Sequence, residues 1–389
     1  YYRANQLTTV SDTADDTAPG TLVFGALRFA ITRSSDGWRW NGAQFVSTAA
    51  VLGGTAQGGS PPEFSYTDGA LAAQTLFGDG LLYKVQVLAQ DKALQGSSVF
   101  GQSLEKEFRY DISYPTATVS VPVGGVFING LSAIRGTMAD RDPDATSPDV
   151  APSGDTAVQV FLQSQQNGAY FNGAGFIETN PFPLAATLFQ TSWTYTSGSL
   201  ASAVGDGVYT VYARAVDAAG NSQVVFTGNG SSVTFVVDKT PPDRGLTSPV
   251  QPYYTPASIA AAGIRGTAVD PLVNGTSSQL MASGSDVLLW YLSGTTSFYW
   301  NGSAWDASVT TLTANGSPWN LLSAPPQTGA ESWTQVGGVT QDRQFFVTFR
   351  AHDKAVLSDG NVTPSTGNAS AFTPPFSFTV DATPPVSSM

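Results

Sequence analysis

Apolar and polar positions alternate with a period of two along several stretches of this chain. In Val208–Asp217, Tyr209, Val211, Ala213 and Ala215 are interleaved with Thr210, Tyr212 and Arg214. Tyr83, Val85, Val87 and Ala89 are set in the same way against Lys84 and Gln86. A strand places successive side chains on opposite faces, so this period buries one face of a sheet and wets the other. No segment carries a helical period. The pattern predicts about seven short strands per unit, with turns between them, and two packed sheets, because a lone sheet would leave one apolar face in water.

Three landmarks recur in fixed order. The first is a strand running into a small acidic turn: Leu82–Asp91, Val208–Asp217 and Gln344–Asp353. The second is an aromatic-Asn-Gly hairpin at Trp40-Asn41-Gly42, Phe171-Asn172-Gly173 and Trp300-Asn301-Gly302. The third is a strand ending in Asp, at Phe108–Asp111, Phe235–Asp238 and Phe378–Asp381, the last two leading into Thr-Pro-Pro. The spacing holds: Asn41 to Asn172 is 131 residues, and Asn172 to Asn301 is 129. A fixed period of this kind marks a repeat architecture. The expected fold is all-β, with three tandem immunoglobulin-like antiparallel β-sandwiches over residues 1–115, 116–242 and 243–385. Residues 386–389 would begin a further leading strand. The second and third repeats run 25 and 28 residues from Pro115 to Asp140 and from Pro242 to Asp270, whereas the first has only Tyr1 to Asp12 before the matching aspartate, so its leading strand is expected to be short or missing.

Asp206-Gly-Val-Tyr209, Ala213–Asn221 and Phe235–Pro242 together resemble the bacterial Ig-like and fibronectin-III-like tandem repeats of large extracellular surface or fibre proteins. Trp300-Asn-Gly-Ser-Ala-Trp305 is similar to a hairpin of some such repeats. Asp206-Gly-Val-Tyr209 also resembles a tyrosine corner, whose phenol bonds the chain just before its strand. The resemblance implies a spacer, fibre or adhesin role at the surface of a prokaryotic cell, with no chemistry of its own. The expected function is a structural subunit or segment of an extracellular filament, stalk or S-layer-like coat, assembling head to tail. The alternative is an adhesin or glycan-binding segment. A third class, accessory domains of a secreted hydrolase, would need a catalytic domain elsewhere.

Charge narrows the partners. Net charge is −12 and charged residues make up only 12% of the chain. Phosphate backbones and anionic lipid surfaces would repel such a chain, so nucleic acid is not an expected partner, whereas divalent cations suit it. No apolar run nears the 18 or more residues needed to span a membrane, so no membrane insertion is expected. Expected partners are copies of the chain itself or flanking repeats, with glycans as a further candidate. There is no cysteine, which excludes disulfides and thiolate metal sites. The chain begins at Tyr1-Tyr2 without methionine, as expected of a piece of something longer.

Catalysis fails on inventory. The one histidine, His352, sits beside Asp353, but the matching positions are Gln90 and Val216, so a strand-end residue is expected there rather than a base. Nucleophile-elbow, phosphate-loop and zinc patterns are absent. No cofactor is required. Calcium is the candidate metal, because clustered Asp at alternate positions offers the hard oxygens it prefers. The candidate ligands are Asp140, Asp142 and Asp144, with Asp12, Asp15 and Asp16 at the matching place in the first repeat, and Asp238 at a repeat junction. The third repeat keeps only Asp270 at that place. Asp is also a good turn residue in its own right, and Asp217–Asn221 has the composition of a plain hairpin turn. Trp40, Phe171, Trp300 and Trp305 are expected to make either an assembly contact, by packing on their own or a neighbouring sandwich, or a glycan contact. Val386, Ser387, Ser388 and Met389 form the candidate strand-complementing tail. Sequons at Asn229, Asn274, Asn301, Asn315, Asn361 and Asn368 matter only in a host that glycosylates them.

Overall fold

A computed structural model describes residues 1–3, 6–13, 28–58, 63–72, 76–88, 105–140, 154–228, 230–300, 304–307, 320–321, 331–335, 339, 342–358 and 367–387. Antiparallel sheets dominate it, as the alternation predicts. The helical elements among the described residues are short: Gly69–Ala72, Leu200–Ala203 and Pro256–Ala262.

The second repeat shows the plan most fully. Strand Thr116–Val121 pairs antiparallel with Ala133–Ala139, which pairs with Ser192–Thr196. The opposite sheet is built on Asp155–Ser164 and Gly207–Asp217, with Ser232–Val237 beside the latter. The leading segment serves both sheets. After Thr116–Val121 it crosses at Pro122, and Phe127–Ile128 joins the second sheet parallel to Val236 and Val237. The third repeat repeats this with Asp243–Ser248 on Ile264–Val269 and Tyr253–Tyr254 parallel to Thr379 and Val380. Inward positions of the paired sheets form the core. Ile134, Val160, Leu162, Trp193, Val211, Ala213 and Phe235 meet in the second repeat. Val287, Leu289, Phe345, Val347, Phe349 and Phe378 do so in the third, and Phe29, Ile31, Trp40, Phe64, Tyr83 and Tyr110 in the first.

The first repeat differs at one edge. Strand Thr9–Thr13 pairs with Glu63–Thr67, and no strand lies on its other side among the described residues. Register identifies its position. Asp12 faces Phe64, as Gly136 faces Trp193 and Gly266 faces Trp333. This strand is therefore the counterpart of Ala133–Ala139. Of the leading segment, the described residues hold the parallel part, with Tyr2 against Tyr110 as Ile128 is against Val237.

The tyrosine corner forms. Tyr209 Oη donates to the Gly205 carbonyl at 3.1 Å. In the first repeat Tyr83 Oη accepts from the Gly78 amide at 2.8 Å, while Phe345 fills the same core position without a hydroxyl.

Candidate metal centre

An aspartate follows the last strand of the first and second repeats, and the next repeat supplies two more to each. One carboxylate oxygen from each of Asp111, Asp140 and Asp217 lies within 4.8 Å of the others; Asp238, Asp270 and Asp353 form an equal group at the following junction. The topology explains the gathering. Asp140 and Asp270 directly follow strands Ala133–Ala139 and Ile264–Val269 in one sheet. Asp217 and Asp353 end the long central strand of the opposite sheet. Both positions lie at the end of the sandwich that receives the incoming chain.

One asparagine ties each group together. Asn221 Nδ2 donates to the Asp111 carbonyl at 3.0 Å and to Asp217 Oδ2 at 2.8 Å. Asn368 Nδ2 does the same to the Asp238 carbonyl and Asp353 Oδ2, both at 2.7 Å. The backbone amides of Asn221 and Asn368 donate to Oδ1 of Asp217 and Asp353 at 2.7 and 2.8 Å. The third repeat reaches this geometry although fourteen residues separate Asp353 from Asn368, against three between Asp217 and Asn221. A second amide holds the remaining aspartate: Gly154 N to Asp140 Oδ2 and Gln279 N to Asp270 Oδ2, both 2.7 Å. Gly154 has φ +84° and Gln279 φ +70°. The donor thus needs the left-handed region, and the third repeat places a side chain there that disfavours it.

The second group is short of positive charge. Asp238 and Asp353 are fully buried and Asp270 nearly so. No Lys or Arg forms an ion pair with these three among the described residues. Asp238 Oδ2 and Asp270 Oδ1 are buried without a hydrogen bond. Burial pushes the Asp353 carboxyl up to about 7 and raises those of Asp238 and Asp270. Beside the first group, Asp155 is pushed up to about 6, by burial and then by the charges of Asp140 and Asp217. Two ionised carboxylates this close repel by on the order of 3–4 kcal/mol at an effective dielectric constant near 20. An all-oxygen donor set of three carboxylates fits a hard divalent cation such as calcium, and neither nitrogen nor sulfur is offered.

The junction differs from the sequence expectation in several places. Asp140 and Asp238 belong to these groups, but with Asp111, Asp217, Asp270 and Asp353 as neighbours instead of a contiguous Asp140-x-Asp142-x-Asp144 loop. Asp142 and Asp144 lie outside the described residues, as do Asp15 and Asp16. Asp12 is not equivalent to Asp140: it stands within strand Thr9–Thr13 at the Gly136 position, four residues too early. The third repeat, expected to keep a single aspartate, has a full group. Asp217–Asn221 does form a tight turn, and it contributes to the centre as well.

A further aspartate, missed in the sequence, sets the exit of each repeat. Asp79 accepts from the Ile112 amide at 2.8 Å and the Ser113 hydroxyl at 2.5 Å. Asp206 accepts from the Lys239 amide at 2.6 Å and the Thr240 hydroxyl. Asp342 accepts from the Ala382 amide, and from the Thr383 hydroxyl at 2.7 Å. Its only sequence signal is an Asp just before each corner strand.

The aromatic hairpins turn inward. Trp40 and Phe171 have no exposed surface, which corrects the expectation of a glycan contact there. Trp300 and Trp305 are half-buried and pack on the core of the third repeat, with Trp305 4.8 Å from Tyr291 between ring centres. Their Asn-Gly turns explain the recurrence: Asn41 Oδ1 accepts from the Ala43 and Gln44 amides, and Asn172 Oδ1 from those of Ala174 and Gly175. His352 is the penultimate residue of strand Arg343–Asp353, at the strand end as expected, and is buried. Of the tail, Val386 is 93% exposed and Ser387 is exposed, while Ser388 and Met389 lie outside the described residues.

No protein-family model and no curated protein matches the chain. Among solved structures, a tetra-tandem repeat from the extending region of a large adhesion protein is 19% identical, covering 97% of this chain and 71% of that one, with a TM-score of 0.25. A structure concerned with host-cell surface retention of a bacterial ice-binding adhesin is 13% identical over 96% of this chain and 89% of its own, with a TM-score of 0.34. Fibronectin(III)-like modules of Clostridium thermocellum CbhA are 11% identical over 61% and 87%, with a TM-score of 0.26.

Proposed function

We propose that this chain is an extension segment of a large cell-surface adhesin, a row of Ig-like repeats whose junctions are stiffened by calcium. The observation that carries this reading is the recurrence of one three-aspartate group at two successive junctions, one ligand from the repeat before and two from the repeat after. A cation held there crosslinks neighbouring sandwiches and offsets the repulsion of their buried carboxylates. A soluble spacer needs this, because a row of sandwiches on free linkers would coil instead of extending. The segment acts as a structural element, not an enzyme. No helix among the described residues is long and apolar enough to cross a membrane.

Small-angle scattering of the chain in calcium and in chelator tests this. Calcium should lengthen the maximum dimension and sharpen the distance distribution. Asp353→Asn with Asp217→Asn should behave in calcium as the parent chain does in chelator. Identical scattering in all conditions would overturn the stiffening role.

A further inference from the structure

The alternation that sends core residues inward sends their neighbours outward, and in the second and third repeats several of those neighbours are aromatic. Phe171 and Trp300 pack on their cores, so Tyr170 and Tyr299, one residue earlier in each hairpin, face the other way. Register extends the match across the sheet. Phe161 pairs with Tyr212 in the second repeat, and Leu288 with Thr348 in the third. Two residues beyond Tyr212 and Thr348 lie Arg214 and Arg350. Each carries its guanidinium over a ring, Phe161 at 5.3 Å and Phe372 at 5.4 Å.

These residues form matching clefts of about 280 Å3 each, at the small end of the range for ligand sites. In the second repeat the walls are Phe161, Tyr170, Pro181, Tyr212, Arg214 and Phe226, with the Tyr212 and Phe226 rings edge to face at 6.4 Å. In the third they include Trp290, Tyr299, Phe372 and Pro375. Phe226 is 42% exposed and Phe372 46%. The sandwich does not require these rings. In the first repeat the pair at the register of Phe161 and Tyr212 is Ala30 and Gln86, and Arg39 precedes Trp40 where a tyrosine precedes Phe171 and Trp300. That repeat builds its core without them. Rings held on an outer sheet face with no core to fill point to a ligand.

The lining selects its chemistry. No carboxylate lines either cleft among the described residues, and the one charged group, Arg214, already donates through Nε to Gln159 Oε1 at 2.9 Å. An extended peptide adding to the sheet would need a free strand edge, whereas Asp155–Ser164 and Gly207–Asp217 are paired on both sides. A polyanion is repelled by a chain of net charge −12. A flat, uncharged ring rich in hydroxyls meets all three conditions. We propose that each cleft seats one pyranose unit of a neutral glycan, its C–H face on the aromatic walls. In the second repeat the phenol hydroxyls of Tyr170 and Tyr212 and the Arg214 guanidinium bond the sugar hydroxyls. A single site of this size binds weakly, so the two repeats act together on a surface that displays many glycans.

A printed array of neutral and acidic glycans, probed with the full chain in calcium, tests this. The chain should be captured by neutral glycans. Phe226→Ala with Phe372→Ala, which removes one half-exposed ring from each cleft, should weaken capture by about tenfold or more. Phe189→Ala with Val250→Ala, at exposed positions that line neither cleft, should leave it unchanged. Each variant is checked for native circular dichroism, and Tyr212→Phe, which keeps the ring and removes only a hydroxyl, should weaken capture in part. Capture by acidic glycans alone, no capture by any neutral glycan, tighter binding of a decaproline peptide, or full capture by the Phe226→Ala, Phe372→Ala chain would overturn the proposal. Calcium stiffening is read by scattering and stands or falls apart from these results.

Discussion

Asn368 holds Asp238 of the preceding repeat by its main-chain carbonyl while gripping the Asp353 carboxylate of its own repeat with the same amide nitrogen. One side chain thereby fixes the exit of one sandwich to the acidic turn of the next. Removing a hydrogen bond to a charged group costs about 1.5–3 kcal/mol. Asn368→Ala should therefore destabilise the second junction by about 2–3 kcal/mol. Gln251→Ala, at an exposed position with ordinary backbone, should change stability by less than about 0.5 kcal/mol. Denaturant unfolding of both variants checks this, and hydrogen exchange should localise the loss to residues flanking Asp238. The same contact makes the Asn368 sequon a poor acceptor, because its amide nitrogen is already engaged.

The buried carboxylates set a pH dependence with a definite sign. Asp353 and Asp155 titrate near 7 and 6 in the folded chain, and Asp238 and Asp270 are also raised, mainly by burial. Between an unfolded carboxyl near 3.9 and these values the folded state binds more protons, so stability falls as pH rises. Without metal, the melting temperature should drop from pH 5 to pH 8. Calcium at pH 8 should restore most of the difference, and calcium at pH 5 should add little. A melting temperature that rises with pH in chelator would contradict the burial of these groups.

Gln279 occupies a backbone conformation that the second repeat gives to Gly154. A side chain in the left-handed region costs roughly 1–2 kcal/mol, offset in part by the greater chain entropy that glycine loses on folding. Gln279→Gly should stabilise the third repeat by up to about 1 kcal/mol, and Gly154→Ala should destabilise the second by a similar amount. Thermal unfolding of the two variants reads both signs.

Trp40 separates packing from recognition. It is fully buried, with Phe45 and Phe77 rings 5.5 and 6.4 Å away. Trp40→Ala should cost about 3–5 kcal/mol through the cavity it leaves. A variant that keeps its stability would show that the hairpin does not close the core.

Much of the fold was legible because alternation is a local signal. Tyr209, Val211, Ala213 and Ala215 each face the core that their period assigns them. The metal centres were not legible to the same degree. Asp111 and Asp217 are 106 residues apart, and only the crossing of the leading segment between two sheets brings them together. Acidic clusters along the sequence point instead to Asp140–Asp144 and to Asp12, Asp15 and Asp16. Strand register, which composition does not encode, moves the Asp12 position by four residues. The hairpin aromatics recur because every core needs them, and recurrence alone cannot distinguish a packed ring from a presented one.

The parallel pairing of Tyr253–Tyr254 with Thr379 and Val380, like that of Phe127–Ile128 with Val236 and Val237, has a mechanical consequence. Tension applied through the two termini pulls the entering and leaving strands of a repeat in opposite directions along their common axis. Their hydrogen bonds are then sheared together and must fail in concert, whereas a hairpin pulled from its open end unzips one bond at a time. A tether built of such units should hold its length up to a high threshold force and then yield one repeat at a time.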